Sequence, residues 1–294
     1  MKPAPFDYCC PDSVEEVLER MALHGDEAKI MAGGQSLTPM LNFRVVRPAL
    51  IIDISRLLDL DVLTEQPESG LQIGALTRHR VLETSPTVAS RFPVIPEAMR
   101  HVAHLAIRNR GTIGGSLAHA DPAAELPMLV KLLDAAIVAR SVRGQRTVPA
   151  GDFFVGPLTT ALEPDELLVR VDVPGCGPHG WGFEEFSRRA GDFALAAAGV
   201  LLQVTDDRVV RARVAMMGVG DTPLHCAEAE TALIGTRLSD SVIAHVVQAA
   251  CDPLTPRQDL QATADYRRHL AGVLLERALR RAWTRATNPA QATP

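Results

Sequence analysis

The chain has 294 residues, 47% of them hydrophobic and 22% charged, which is the make-up of an ordinary globular protein long enough for two domains. A formal net charge of -5 offers no basic field, which excludes a nucleic-acid or anionic-membrane partner as the reading. The opening "MKPAPFDYCCPDSVEE" has no apolar signal core, and no run of 18 apolar residues follows, so neither a secretory signal nor a membrane span is expected.

Asp12 and Ser13 precede "VEEVLERMALHG", where Val14, Val17, Leu18 and Met21 recur at helical spacing. Ser13 with Glu16 forms a capping box and Gly25 marks the stop. "AKIMAGG" reads as a strand entering a glycine turn, a short helix follows, and "PALIIDIS" after Pro48 is a second buried strand. "GLQIGALT" is a third strand. Helices are expected around "HRVLETSP" and "PEAMRHVAHLA", the latter placing His101 and His104 three apart on one helical face. "IRNRGTIGGSLAHADPAAELPMLVKLLDA" is a second glycine turn leading into an apolar helix, and "AAIVARSV" and "ELLVRVDVP" are strands.

"VPGCGPHGWG" is the densest turn cluster in the chain and is the expected domain boundary. Beyond it, "WGFEEFSRR", "FALAAAGVLLQVT" and "RVVRARVAMMGVG" predict an antiparallel meander with "VTDDRVV" as a hairpin. Val210, Ala212, Val214 and Met216 are expected to share its inner face, alternating with Arg211 and Arg213. "AEAETALIG", "SDSVIAHVVQAACD" and "TADYRRHLAGVLLERALRRAWTRA" are helical, and "TNPAQATP" reads as a loose tail.

Five scattered cysteines, Cys9, Cys10, Cys176, Cys226 and Cys251, show no Cys-x-x-Cys and no cluster spacing. They read as free thiols in a reducing compartment, which makes the cytoplasm the expected location. Any iron–sulfur cluster serving this protein therefore belongs to another chain. His101, His104 and His119 do not supply a placed third ligand, so no metal site is expected.

Two stretches carry the chemistry. "AGGQS" lacks the lysine of a Walker loop and the third glycine of a dinucleotide fingerprint. A glycine turn after a strand can still gather several backbone N–H groups in one concavity, and such donors bind phosphate without a lysine. Taken alone, a tight turn is an equal reading. "TIGGSLAHADPAAELP" repeats the device and adds Asp121 and Glu125, which suit the hydroxyls of a sugar or ribityl chain. Two such turns suggest one extended ligand carrying two phosphates between them.

"AGGQSLTPML", "IRNRGTIGGSLAHADPAAELP", "SRRAGDFALAAAG" and "YRRHLAGVLLERAL", in this order and at these distances, resemble the FAD-binding medium subunit of the molybdenum hydroxylases, the xanthine dehydrogenase and aerobic carbon monoxide dehydrogenase family; the likeness runs over roughly residues 4 to 282. The resemblance implies an α+β fold. Residues 1–176 would form a two-lobed FAD-binding domain of the vanillyl-alcohol-oxidase/PCMH type, with lobes of about 1–57 and 58–176. Residues 177–294 would form a C-terminal domain of antiparallel sheet and helical bundle. It implies FAD on this chain, with molybdopterin cofactor on a large subunit and two [2Fe–2S] clusters on a small one. The assembly would be a dimer of heterotrimers passing electrons to an external acceptor, with no catalytic acid or base here.

By similarity, Ala32, Gly33, Gly34, Gln35, Ser36 and Leu37 would cradle the pyrophosphate from one side and Thr112, Ile113, Gly114, Gly115 and Ser116 from the other. Asp121 and Glu125 would take hydroxyls, and Arg188, Asp192 and Phe193 would pass near the isoalloxazine. Two departures stand out. Gln35 replaces a frequent histidine, and Glu184 stands where animal-type xanthine enzymes carry a flavin-contacting lysine, which weighs against transferring their NAD chemistry. The rival readings are a self-contained FAD reductase, for which no serine or tyrosine is placed to donate a proton, and a flavin-free binding module, against which both intact glycine pairs count.

Overall fold

The computed structural model describes residues 2–177 and 179–288; the tail predicted from "TNPAQATP" falls, from residue 289 on, outside them. The N-terminal unit is a small parallel sheet of β1 (Asp7–Cys9), β3 (Leu50–Asp53) and β2 (Ala28–Met31), with β3 central. Helix α1 (Val14–His24) connects β1 to β2, and α2 (Leu37–Asn42) lies between β2 and β3. Ser13 Oγ accepts from the Glu16 amide at 3.2 Å, so the predicted N-cap forms. Val14, Val17, Leu18 and Met21 are all buried, each burial worth about 1.5–3 kcal/mol, and seat α1 on Ile52 and Leu76.

The second unit is a five-stranded antiparallel sheet in the order β4 (Leu63–Glu65), β5 (Leu71–Gly74), β10 (Leu167–Val173), β6 (Ala136–Ser141), β7 (Gly144–Pro149). A small hairpin, β8 (Phe154–Gly156) with β9 (Thr159–Thr160), follows α9 (Ala150–Phe153). Its helices are α3 (His79–Thr84), α4 (Pro86–Arg91), α5 (Val94–Met99), α6 (Leu105–Arg108), α7 (Ile113–His119) and α8 (Glu125–Leu132). Phe92, Met99, Leu117, Met128 and Phe153 form the core between these helices and the sheet.

Two expectations fail here. His101 and His104 do not share a helix: α5 ends at Met99, Ala103 takes a φ of +42°, and His104 is extended, so the pair sits in a turn. The ring of His101 instead packs on Phe183, with centroids 5.3 Å apart. The apolar helix after the second glycine turn is two helices, because left-handed Ala120 (φ +53°) and Pro122 interrupt it.

The C-terminal unit is the predicted meander, β11 (Gly180–Phe186), β12 (Ala196–Thr205), β13 (Arg208–Met217) and β14 (Leu224–His225), covered on one face by α10 (Ala227–Leu233), α11 (Asp240–Cys251) and α12 (Ala264–Thr287). Asp206 and Asp207 both take positive φ, the hairpin turn expected of "VTDDRVV". The strands alternate out of the expected phase near that turn. A register shift between Gln203 and Val204 makes Val209 the buried residue and leaves Val210 52% exposed, whereas Ala212, Val214 and Met216 are buried.

The meander is held between two helices at close range. A Cβ on Gly182 would lie 2.8 Å from the Ala278 carbonyl carbon of α12, and one on Gly199 would lie 2.8 Å from Leu132 Cδ2 of α8. A polar knot ties the units together: Trp181 Nε1 donates to Glu97 Oε2 at 2.7 Å. Arg281 and Arg285 bond the same carboxylate at 3.1 and 2.9 Å, and Arg285 also stacks over the Trp181 ring. The α+β fold expected from the sequence is the fold observed. Among the described residues, no helix is long and apolar enough to cross a membrane.

Candidate functional site

Strand β2 delivers Ala32 to Ser36 to one side of a cavity of ≈ 620 Å³, within the range of small-molecule and cofactor sites. Gly34 turns the chain at φ +71°, a conformation glycine takes without steric cost. The side chain of Gln35 then bends back, and its Nε2 donates to the Gly33 carbonyl at 2.8 Å. Gln35 thus pins the turn and leaves its Oε1 to the cavity. Among the described residues, the N–H groups of Gly33, Gly34, Gln35 and Ser36 meet no protein acceptor. They form an unspent donor set on residues that line the cavity.

The second turn lies against the first. A Cβ on Gly33 would come within 2.9 Å of the Arg110 carbonyl carbon, and one on Gly115 would be 4.0 Å from the Ala32 Cβ. Its donors are used differently. Ile113 N–H donates to Thr77 O at 3.0 Å, Gly114 to Ala75 O at 2.9 Å, and Ser116 to Thr112 O at 3.0 Å. Gly115 donates to Thr112 Oγ1 at 3.1 Å, the N-cap of α7. The turn therefore presents the hydroxyls of Thr112 and Ser116 and a face bare of Cβ atoms, not a second amide nest. His79 orders this turn from behind: its Nε2 lies 3.0 Å from the Thr112 carbonyl, the ring is 7% exposed, and its Nδ1 has no partner. Burial drives its pKa down to about 4, so it is a neutral imidazole with Nε2–H as the donor.

Of the residues singled out from sequence, Ile113 and Arg188 do not line the cavity. Ile113 points into the core at 2% exposure, since the α7 face that carries Leu117 is the buried one. The guanidinium of Arg188 bonds Gln261 Oε1 at 3.1 Å and is exposed. Ala32, Gly33, Gly34, Gln35, Ser36, Leu37, Thr112, Gly114, Gly115, Ser116, Asp121, Glu125, Asp192 and Phe193 all line it. Phe193, 66% exposed, stands at the mouth on the β11–β12 loop, not in the core. Buried Arg267 anchors the strand after that loop, donating to Leu195 O at 2.7 Å and bonding Asp259.

The sequence reading missed His79, Leu158 and Glu166, which also line the cavity. Glu166 is held ionised by Arg146, at 2.6 Å to each carboxylate oxygen. Lys29 is the one lysine or arginine among the lining residues, so any diphosphate here would be held chiefly by amides. No cluster of metal ligands exists among the described residues.

Unspent amides on one side, hydroxyls and carboxylates on the other, and glycines where a side chain would fill the cleft suit an elongated polar ligand with an anionic centre. FAD has that form. The comparisons agree. Residues 4–176 match the family described as FAD binding domain in molybdopterin dehydrogenase, and residues 181–282 match the CO dehydrogenase flavoprotein C-terminal domain. The chain is 45% identical over 289 residues to the alpha subunit of the 6-hydroxypseudooxynicotine dehydrogenase complex of Paenarthrobacter nicotinovorans, covering 97% of each. It is 36% identical over 286 residues to the carbon monoxide dehydrogenase medium chain of Hydrogenophaga pseudoflava, covering 97% of this chain and 99% of the other. A solved structure of carbon monoxide dehydrogenase from Hydrogenophaga pseudoflava, lacking the Mo-pyranopterin moiety, matches with a TM-score of 0.94 at 38% identity, over 97% of this chain and 99% of that one. Together, fold, cleft and kinship show that the chain is an FAD-binding oxidoreductase subunit belonging to the medium-subunit family of the molybdenum hydroxylases.

Proposed function

We propose that this subunit holds FAD across the cavity between its two glycine turns and relays electrons from [2Fe–2S] clusters on a small partner subunit to an external acceptor. A large partner carrying molybdopterin would oxidise the substrate, and the assembly would be a dimer of heterotrimers in the cytoplasm, where the five free thiols stay reduced. The observation that carries this reading is the convergence on one cavity of the unspent Gly33–Ser36 amides, the Thr112 and Ser116 hydroxyls, Asp121 and Glu125, with Phe193 at the mouth.

FAD, when bound, supplies the redox chemistry, accepting electrons singly and passing them on singly or in pairs. The chain's own residues position it. The first turn takes the pyrophosphate through its amides, and Gln35 keeps that turn closed. Thr112 and Ser116 offer hydroxyls across the gap. Asp121 and Glu125 accept from sugar or ribityl hydroxyls, and Asp192 and Phe193 bound the ring end. The names of the relatives, a complex subunit alpha and a medium chain, support the multi-subunit setting.

The test is to purify the chain with its natural neighbours and to measure flavin, iron and molybdenum in the complex and in the separated subunit. Flavin on this chain, with iron and molybdenum confined to the partners, is the expected result. A colourless chain without affinity for FAD refutes the proposal.

A further inference from the structure

The polar end of the cavity holds more acid than an anionic cofactor would be expected to tolerate. Glu125, the first residue of α8, lines the cavity, is only 8% exposed, and takes no hydrogen bond from any other described side chain or amide. Glu185 comes to it from another element. On β11 the residues Trp181, Phe183 and Glu185 alternate toward the same side, and Glu185 sits opposite Ala197 of β12. Its Oε2 is sealed from solvent and has no partner. The two carboxyls feel each other, and the further charge on Glu125 is also acidic, Asp121.

Among the described residues, no cation acts on either carboxyl. The basic groups on the surrounding elements are engaged elsewhere or lie apart. Arg281 and Arg285 of α12 are taken by Glu97 of α5, and Arg281 also by Glu184. Arg213 of β13 pairs with Asp134 beyond the far end of α8, and His225 of β14 pairs with Glu230. Lys131 of α8 lies over the Phe154 ring and feels Asp152 of α9. His101 packs on Phe183, and β12 carries no titratable side chain. The remaining titratable groups that line the cavity are Lys29, His79, His119, Asp121, Glu166 and Asp192, with Glu166 paired to Arg146.

Two largely buried carboxyls close enough for one to feel the charge of the other cannot both ionise readily, since each charge is short of solvent and meets its like. Burial is the main cause that pushes both above the ordinary carboxylate range; the charge of Glu125 adds to it for Glu185, and that of Asp121 for Glu125, whose own backbone amide opposes the rise. A diphosphate entering the same cavity brings further negative charge and expels water, so it favours the protonated pair. We propose that the Glu125 and Glu185 pair keeps a proton at neutral pH and that FAD binding is linked to it, the cofactor binding to the protonated pair. This makes Glu185 a positioning residue for the cofactor acting through Glu125, and it gives this end of the cleft a hydrogen-bond donor besides acceptors. The inference rests on the FAD assignment above.

The test uses the full chain stripped of flavin and titrated with FAD from pH 6 to pH 9, following flavin fluorescence, with calorimetry in two buffers of different ionisation enthalpy to count protons. Wild-type affinity is expected to fall with rising pH, approaching about tenfold per unit where the pair ionises, with net proton uptake on binding. Glu185→Gln is expected to flatten the profile, bind FAD more tightly than wild type at pH 9, and lose the proton uptake. A flat wild-type profile without uptake overturns the linkage, and this measurement needs no variant. A sloped profile that Glu185→Gln leaves unchanged also overturns it, placing the titration on His119, Asp121 or Lys29. Absence of FAD binding at every pH is a different failure, that of the cofactor assignment itself.

Discussion

Replacing Gly33 by alanine tests how the two turns are joined. The new Cβ would lie 2.9 Å from the Arg110 carbonyl carbon and 3.0 Å from Gly111 Cα, with the Arg110 oxygen closer still. All three are backbone atoms, held by the bonds of Arg110 N–H and Gly111 N–H to Ile107 O and of Gly111 O to the His79 amide, so no flexible side chain can yield. The turns must separate, and displacement of a positioned group by about 1 Å is enough to spoil its geometry. A hydrogen bond to a charged group contributes about 1.5–3 kcal/mol, so misplacing one amide of the Gly33–Ser36 set should weaken FAD about 10- to 150-fold. The steric clash itself should cost about 1–3 kcal/mol of stability. The assay is an equilibrium FAD titration of the folded variant, with its fold checked by circular dichroism. Gly151→Ala is the control, since a Cβ there meets nothing within 4 Å, and it should bind as wild type does. A folded Gly33→Ala chain binding FAD within about twofold of wild type would refute the cradle built from apposed turns.

Two further outcomes follow from the geometry. Glu97→Ala removes the acceptor shared by Trp181, Arg281 and Arg285; half-exposed Arg281 keeps Glu184 and Arg285 keeps the Trp181 carbonyl, so the cost falls on the indole N–H and the Arg285 charge, and a loss of about 1–3 kcal/mol is expected in chemical denaturation, less for Glu97→Gln, whereas an unchanged midpoint would contradict the knot. His79 is neutral in the fold, its pKa lowered from 6.5 to about 4, so between those values the unfolded chain binds a proton that the native chain does not. Its contribution is complete above pH 6.5 and shrinks as pH falls, reaching about 3 kcal/mol of loss by pH 4. Unfolding free energies measured at pH 7 and pH 4.5 should show this slope, and His79→Gln should remove it; equal slopes would show that another group is responsible.

Much of the fold was legible because the signals were local. The capping box at Ser13, the four apolar positions of α1 and the paired aspartates of the β12–β13 turn each depend on neighbours a few residues away. Strands β1 and β4 were missed because each is three residues long, too short for alternation to register. Val210 alone of the four β13 residues was misplaced, because the register shift inverts the side chains between it and the turn while Ala212, Val214 and Met216 keep the expected face. The histidine pair was misplaced because nothing in "MRHVAHLA" announces the left-handed Ala103.

The candidate site shows a subtler boundary. The sequence points to two similar glycine turns, and both do line one cavity, but it cannot say which amides are free. That is decided by distant acceptors: Ala75 and Thr77, more than thirty residues upstream, consume the amides of Gly114 and Ile113, while no described residue consumes those of Gly33 to Ser36. A donor count made from the motifs alone would double the number of phosphate ligands. Glu185 shows the same limit from the acidic side. The alternation of Trp181, Phe183 and Glu185 along β11 signals that it points inward, but its unpartnered state depends on α8 bringing Glu125 beside it with no basic group between. Motifs therefore locate the cleft, whereas its charge and its open hydrogen-bonding positions are set by tertiary contacts, and these decide how tightly, and at what pH, the cofactor is held.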